Sequence, residues 1–350
     1  MKAIVVHGAG DLRIEDRERI APGPGDVLIR MTHGGICGSD LHYYKEGRVG
    51  SFAVSEPLVL GHEVVGRVVQ DGRESSGSTS ALASGTPVAI HPASYDRSAR
   101  EFDAARPNIS PGARYLGSAA TIPHTQGGFS EFFTARVDQV RALPATLPLR
   151  RAVLAEPLGV GLHAINRAGG VRGRRVLISG SGPIGLLTLR AAVAAGASEV
   201  WSTDVLAHPL ELARKLGATG TIQLGKSEVE PKSFDVVIEA AGVPMATTTA
   251  IRAAKSGGVV VQVGMLPGAA EPYALAELVS REIDLRGAFR FDTEIDDAIS
   301  LLARDPQFDL VITHTFDADH AKEAFAVASD SSRSSKVVLR LWGAEQEKDQ

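Results

Sequence analysis

Cys37, His62 and Glu63 are the residues whose types and spacing most directly suggest chemistry. Cys37 is the single cysteine among 350 residues, so it forms no internal disulfide and is left with packing, metal binding or reactivity. A free cysteine taken alone behaves as a small hydrophobe. This one stands in Gly34-Gly35-Ile36-Cys37-Gly38-Ser39-Asp40-Leu41-His42-Tyr43-Tyr44, among polar and ionisable neighbours. Gly61-His62-Glu63 follows at the head of a β-rich run, Val64 to Val69. Thiolate, imidazole and carboxylate are the usual donors to zinc.

A second group is Gly180-Ser181-Gly182-Pro183-Ile184-Gly185, which follows the strand pattern RVLIS and opens a helical one. In that position the first glycine makes a tight turn, the second admits a pyrophosphate to the backbone, and the third lets helix and strand pack closely. The helix N-terminus adds free N–H groups and positive dipole for phosphates. A ligand-free glycine turn is the alternative. Asp204 ends the next strand, where it can accept from ribose hydroxyls and repel a 2′-phosphate, or else cap the helix that follows. Ala207 and His208 offer no arginine for a phosphate, so NAD is expected over NADP.

These groups sit in two different textures. Residues 1 to 148 read as short β-runs punctuated by Gly, Pro and Asp, with an exposed connection at Asp71 to Gly85 and an irregular stretch at Ser94 to Gly117. From Leu149 a helical pattern begins, and the proline after Glu156 is expected to bend it and aim that carboxylate. Strands then alternate with helices to residue 287, which predicts a Rossmann-type doubly wound parallel sheet of α/β class. Residues 288–350 end in KVVLRLW, a β-run expected to return to the first unit, and a frayed tail after Gly343. The expected division is therefore a mostly β unit, 1–148 with 288–350, and a nucleotide-binding unit, 149–287. A hydrophobic fraction of 44% is enough for both cores. A net charge of −4 with scattered cations excludes a nucleic-acid face, and no apolar run is long enough to span a bilayer. One cysteine and no export pattern point to a reducing cytoplasm.

Across residues 1 to 342 the chain resembles the zinc-dependent medium-chain alcohol and polyol dehydrogenases, whose β unit is GroES-like. GHEVVGRVVQDGRES is similar to that family's zinc signature, including Gly66, Gly72 and Ser75, and AEPLGVGLHA is similar to the sorbitol dehydrogenase branch. The resemblance implies Cys37 and His62 as zinc ligands, with Glu63 and Glu156 completing the shell directly or through water. It implies Ser39 and His42 as a proton relay, Asp40 as the orienter of a ligating imidazole, and Glu156, Tyr43 and Arg290 at the substrate. Lys45 and Arg48 are weaker candidates for binding an anionic group. Val263 and Gly264 join Gly180, Gly182, Pro183, Ile184, Gly185 and Asp204 at the cofactor. His91, His124 and His163 are left as core or loop residues.

GGICGSDLHYYKEGRVGSF, GSAATIPHTQGGF and REIDLRGAFRF resemble a sugar-acid-oxidising member of the branch, and they surround the family's substrate cleft. The implied reaction moves a hydride from a hydroxyl-bearing carbon to NAD, a neutral polyol such as sorbitol or xylitol being the alternative substrate. A metal-free nucleotide-binding protein of the same fold is the reading from another class; retention of all four donors argues against it. One departure stands out: where the family's second, structural zinc has four cysteines, this chain has Asp96, Ala99, Phe102 and Ser110. One catalytic zinc per subunit and no structural zinc is the expectation, in a homo-oligomer, dimer or tetramer.

Overall fold

The computed structural model describes residues 1–19, 21–73, 81–266 and 273–344. The strand Asp26–Gly35 is the spine of the β-rich unit and is buried along almost its whole length, as its apolar sequence requires. It lies antiparallel to Glu63–Asp71 and Phe132–Arg136, and antiparallel to the C-terminal strand Lys336–Arg340, so the final β-run does return. The seven-stranded sheet runs Val140–Ala142, Pro87–Ile90, Glu63–Asp71, Asp26–Gly35, Lys336–Arg340, Ile312–Asp317, with Phe132–Arg136 also on the Asp26 strand. Register places Gly35 opposite Glu63 and Val338 opposite Gly35. A Cβ on Gly35 would stand 2.0 Å from Glu63 Oε2, so only glycine lets that carboxylate cross the strand.

The second sheet has six strands, all parallel, in the order Gly220–Gln223, Glu199–Asp204, Arg175–Ser179, Phe234–Glu239, Ala254–Gln262, Asp284–Gly287. Chain order reverses at Arg175–Ser179: the two strands that follow it lie on one side and the next three on the other. That reversal opens a crevice at the carboxyl ends of the strands. Gly185 packs so closely behind it that a Cβ would meet Gly180 O at 1.9 Å.

The helical stretch after Leu149 differs from the expected bent helix. A short helix, Leu149–Ala152, ends, and a new one, Ala155–Arg167, begins just ahead of Glu156. Pro157 therefore sits in a first turn, where its missing N–H would have had no intrahelical acceptor. This second helix packs with Pro183–Ala194 and Glu294–Arg304 through Leu158, Ile165, Leu186, Ile295 and Leu302, in one core that also takes Val65 and Val338 from the β-rich sheet. The two units thus share buried surface. Of the connection expected exposed between Asp71 and Gly85, residues 74–80 lie outside the described residues. Its ends are joined at buried Asp71, which accepts from the Leu82 N–H at 2.8 Å and the Arg73 guanidinium at 2.6 Å. Residues 345–350, the expected tail, also lie outside the described residues, as does Ser75.

Ser94–Gly117 is a chain of turns. Arg114–Tyr115 pairs with Ala93–Ser94, the Ser98 N–H and hydroxyl bond Asp96, and the Phe102 N–H donates to Ala99 O. Ser110 Oγ accepts from the Asp103 N–H at 2.9 Å, and the Phe102 ring lies 6.1 Å from that of Tyr95. All four positions that carry cysteine in the family are thus held by turns and ring contact.

Glu294 fastens its helix to Ala155–Arg167, accepting from His163 Nδ1 at 2.8 Å, Asn166 Nδ2 at 3.1 Å and the Asp292 N–H at 3.0 Å. Burial works to raise its pKa; the donors, His163 first, outweigh burial and hold it at about 2. A depressed carboxylate contributes stability that is present above its unfolded value and lost as pH falls through the folded one. Glu294→Gln should therefore flatten the decline of unfolding free energy between about pH 4.5 and 2 by roughly 2–3 kcal/mol. Urea titrations across that range read the difference; parallel curves for the two proteins would contradict it.

Candidate functional site

Cys37 caps the helix Gly38–Glu46. Asp40, in the first turn and fully buried, accepts from the backbone N–H of Cys37 at 2.9 Å and of Gly61 at 3.3 Å. The sequence suggests Asp40 as the orienter of an imidazole; the structure instead gives it the backbone of the two turns that carry Cys37 and His62. Burial raises its pKa, and those contacts and the nearby His62 oppose the rise.

Cys37 Sγ, a ring nitrogen of His62 and a carboxylate oxygen of Glu63 lie within 4.8 Å of one another, the only such group of three among the described residues. His62 and Glu63 are buried. Burial by itself would keep the His62 ring neutral, but Cys37, Asp40 and Glu156 around it reverse that and favour positive charge there. An anion-rich pocket of one sulfur, one nitrogen and one oxygen donor suits a zinc ion. Glu63 has another partner as well: Lys336 Nζ, 300 residues from the Cys37 loop, approaches its two oxygens at 2.6 and 2.7 Å and donates to Ile36 O at 3.1 Å. Glu156 stands outside the group of three, close enough to His62 and Glu63 to feel both charges. Its Oε1 accepts from the Tyr115 hydroxyl at 2.5 Å.

The remaining expected residues are distributed less tightly. Ser39 and His42 are one turn apart on the Gly38–Glu46 helix; His42 is exposed and its Nδ1 meets Glu46 at 2.9 Å, with no bond between the two. Tyr43 is buried, and its hydroxyl accepts from the Ala119 N–H at 2.9 Å while keeping a proton to donate. Arg290 has a backbone φ of +54°, in the left-handed region that non-glycine residues rarely adopt. Its guanidinium lies 4.1 Å from the Tyr115 ring centre and 4.7 Å from that of Phe289. The turn bearing it is fixed on both sides: Asn108 Nδ2 donates to Phe289 O, and His91 Nε2 to Asp292 O, each at 2.8 Å. The Ala93 N–H donates to His91 Nδ1, which leaves the ring proton on Nε2 for that second bond. His124 similarly accepts from the Ser55 N–H and bonds Thr121 O, tying the loop near residue 121 to the Ser55 segment.

At the crevice, Gly182 caps the helix Pro183–Ala194 with no side chain bonded across its N-terminus, so its first N–H groups face outward. Asp204 accepts from the Ser181 N–H at 3.0 Å and the Leu206 N–H at 2.9 Å. It fastens the glycine turn rather than the helix Ala207–Lys215, which has no side-chain cap. The Val263 and Gly264 N–H groups both donate to Glu239 O. Buried Glu239 also accepts from Ala241, Gly242 and the Gln262 amide, so it joins the two loops that face the crevice.

The zinc-binding dehydrogenase family matches residues 183–304, and the alcohol dehydrogenase GroES-like domain matches residues 23–145. L-idonate 5-dehydrogenase (NAD(P)(+)) of Escherichia coli K12 is 36% identical over 319 residues, 89% of this chain and 91% of that protein. Sorbitol dehydrogenase of Gallus gallus is 39% identical over 335 residues, 92% of each chain. The chain belongs to the zinc-binding dehydrogenases. The crystal structure of the Escherichia coli L-idonate 5-dehydrogenase superposes on this dehydrogenase with a TM-score of 0.91, at 34% identity, over 97% of this chain and 98% of the other. A zinc-binding dehydrogenase of Sinorhizobium meliloti bound to NADP gives 0.87 at 30% identity, over 97% and 98%. The fold is thus the GroES-like unit joined to a Rossmann unit that the sequence implies.

Two residues of this dehydrogenase's site have no mark in a motif. Lys336 reads as a polar start to an apolar strand, and Tyr115 as an aromatic in an irregular segment. A charge at the edge of a fully buried β-run is the one signal that could have exposed Lys336. Because Lys336 is 2% exposed and Glu63 0%, Lys336→Met should leave a buried carboxylate unbalanced and cost about 3–5 kcal/mol. Urea unfolding of the chelator-treated protein measures this; Glu63→Leu added to Lys336→Met should restore much of it. A loss under about 1 kcal/mol would place the pair in contact with water.

Proposed function

We propose that this dehydrogenase oxidises L-idonate at carbon 5 to 5-keto-D-gluconate, reversibly, with NAD as hydride acceptor. The observation that carries the substrate reading is Arg290: a guanidinium without a carboxylate partner among the described residues, in a strained turn pinned by Asn108 and His91. Left-handed backbone at a bulky residue costs about 1–3 kcal/mol and persists where surrounding structure over-determines it, most often at functional sites. A planar cation so held suits a substrate carboxylate, which it can bind in two parallel hydrogen bonds. The relatives are named for L-idonate and for sorbitol, an acid and a neutral polyol, and only the acid offers this cation a carboxylate. Sorbitol or xylitol is therefore the second reading.

Cys37, His62, Glu63 and Glu156 would hold the zinc. When bound, zinc polarises the substrate hydroxyl and NAD accepts the hydride, which is the redox chemistry the protein itself lacks. Lys336 fixes Glu63, and Asp40 fixes the turns that carry Cys37 and His62. Ser39 and His42 pass the hydroxyl proton toward solvent, His42 being exposed with Glu46 beside it. Gly180, Gly182, Pro183, Ile184 and Gly185 seat the pyrophosphate, Val263 and Gly264 border the nicotinamide, and Asp204 disfavours a 2′-phosphate. The strand Asp284–Gly287 is an edge of its sheet among the described residues, with Leu285 42% and the nearby Val279 73% exposed. An open apolar edge of this kind supports a homo-oligomer.

Arg290→Ala should reduce kcat/KM on L-idonate by about one to two orders of magnitude, the loss of a charge-assisted contact of roughly 1.5–3 kcal/mol, and on sorbitol by far less. Steady-state rates on both substrates decide it: equal losses would assign Arg290 to hydroxyls common to both, and a wild-type preference for sorbitol would favour the second reading.

One zinc per chain is proposed because turns, not thiolates, hold Ser94–Gly117. Elemental analysis should return a single zinc, and chelation should abolish turnover without exposing that segment to limited proteolysis. Two zincs, or chelator-dependent cleavage within the segment, would show a second metal site.

A further inference from the structure

Tyr115 occupies a position that neither the metal donors nor the substrate reading explains. It lies on the two-residue strand Arg114–Tyr115, pinned to Ala93–Ser94, and is 8% exposed. Its hydroxyl reaches Glu156 Oε1 at 2.5 Å, its ring centre is 5.7 Å from that of His62, and the Arg290 guanidinium lies over its face at 4.1 Å. One side chain therefore touches a proposed metal ligand at its tip, a second along its edge, and the proposed substrate cation on its face.

The two buried carboxylates of the site are treated differently. Glu63 faces a lysine, so its charge is balanced within the protein. Glu156 receives a phenol, which orients the carboxylate without adding charge and leaves its negative field for a cation in the pocket. Phenylalanine in place of Tyr115 would keep the ring and the arginine stack but leave Glu156 Oε1 with no donor in a buried setting. A fixed ring beneath Arg290 likewise limits the rotamers of a long side chain that no carboxylate anchors among the described residues.

We propose that Tyr115 is a positioning residue for both ends of the substrate: its hydroxyl fixes Glu156 beside the metal donors, and its ring seats Arg290. The ring's half of this rests on the reading of Arg290 as the carboxylate contact; the hydroxyl's half stands without it.

The test uses the purified holoenzyme and the same protein reconstituted with Co(II), in wild-type, Tyr115→Phe and Tyr115→Leu forms. Tyr115→Phe should shift the visible cobalt bands and lower metal affinity or kcat by about 10–100-fold, as loss of a ligand-orienting hydrogen bond does. The KM values for L-idonate and sorbitol should change little, and NADH binding should stay near wild type. In a Glu156→Gln background the same substitution should have little further effect, because the hydroxyl acts through Glu156. Tyr115→Leu should additionally raise KM for L-idonate several-fold more than KM for sorbitol. A Tyr115→Phe enzyme with wild-type cobalt spectrum, metal affinity and kcat would overturn the role of the hydroxyl. Equal KM changes on acid and polyol in Tyr115→Leu would overturn the role of the ring. An enzyme that simply prefers sorbitol would refute the substrate reading while leaving the cobalt result intact, so the two failures are separable.

Discussion

The site depends on a single buried ion pair, Glu63 with Lys336. Burying either charge alone is costly enough that the fold would not tolerate it, and together they are acceptable only with short, direct contact and their remaining valences satisfied. Both conditions hold: Lys336 meets both oxygens of Glu63 and spends a further proton on Ile36 O, the residue before Cys37. Burial opposes the charge on Lys336, and Glu63, then Cys37, raise its pKa against that opposition. The pair clamps three strands: Glu63–Asp71, the end of Asp26–Gly35, and the C-terminal Lys336–Arg340. Cys37, His62 and Glu63 from the first quarter of the chain are thereby locked by a residue of its C-terminal strand, and Gly35 is the position that leaves room for the contact.

A second constraint works outward from this clamp. Arg290 sits after the last strand of the cofactor sheet, yet its turn is held by His91 and Asn108 from the β-rich unit. Asn108 belongs to the segment that lacks the family's cysteines. Turns around Asp96, Ser98 and Ser110, buried Pro107 and Asn108, and the Tyr95–Phe102 contact give that segment its shape. That segment is tied to the site all the same: it supplies Asn108 to the Arg290 turn and Tyr115 to Glu156. Order there comes from many local hydrogen bonds, each worth about 1 kcal/mol net, rather than from a few metal–sulfur bonds.

The cofactor crevice follows a simpler logic. Its position is dictated by the reversal of strand order, its open end by a helix N-terminus without a side-chain cap, and its fine shape by two acids. Asp204 holds the glycine turn by its backbone, and Glu239 holds the loops at residues 241–242 and 262–264. Burial raises the pKa of Glu239, and the Ala241, Gly242 and Gln262 donors lower it in return. Its carboxylate is therefore useful as an acceptor inside the protein rather than as a charge presented to ligand.

Local chemistry was legible in the sequence because it needs neighbours only a few residues apart. The glycine turn, the strand–helix alternation, the cysteine and the His-Glu pair each carry their meaning in spacing, and together they pointed to the family, the α/β class and the three side chains that meet in space. The helix break ahead of Glu156 was half legible: proline marked the place, but whether it bends a helix or starts one depends on where the preceding turn ends. Asp40 was legible as a partner and not as to whose, since backbone and imidazole donors look alike until the turn is folded. Only the tertiary structure decided the rest. Lys336 and Tyr115 reach the site from strands far away in sequence. The turn of Arg290 is set by side chains 181 and 201 residues earlier in the chain, and no periodicity records which residue a folded sheet will bring opposite another. Register and packing are properties of the whole chain, because a hydrogen-bonded pair between distant strands is fixed by every pair beside it.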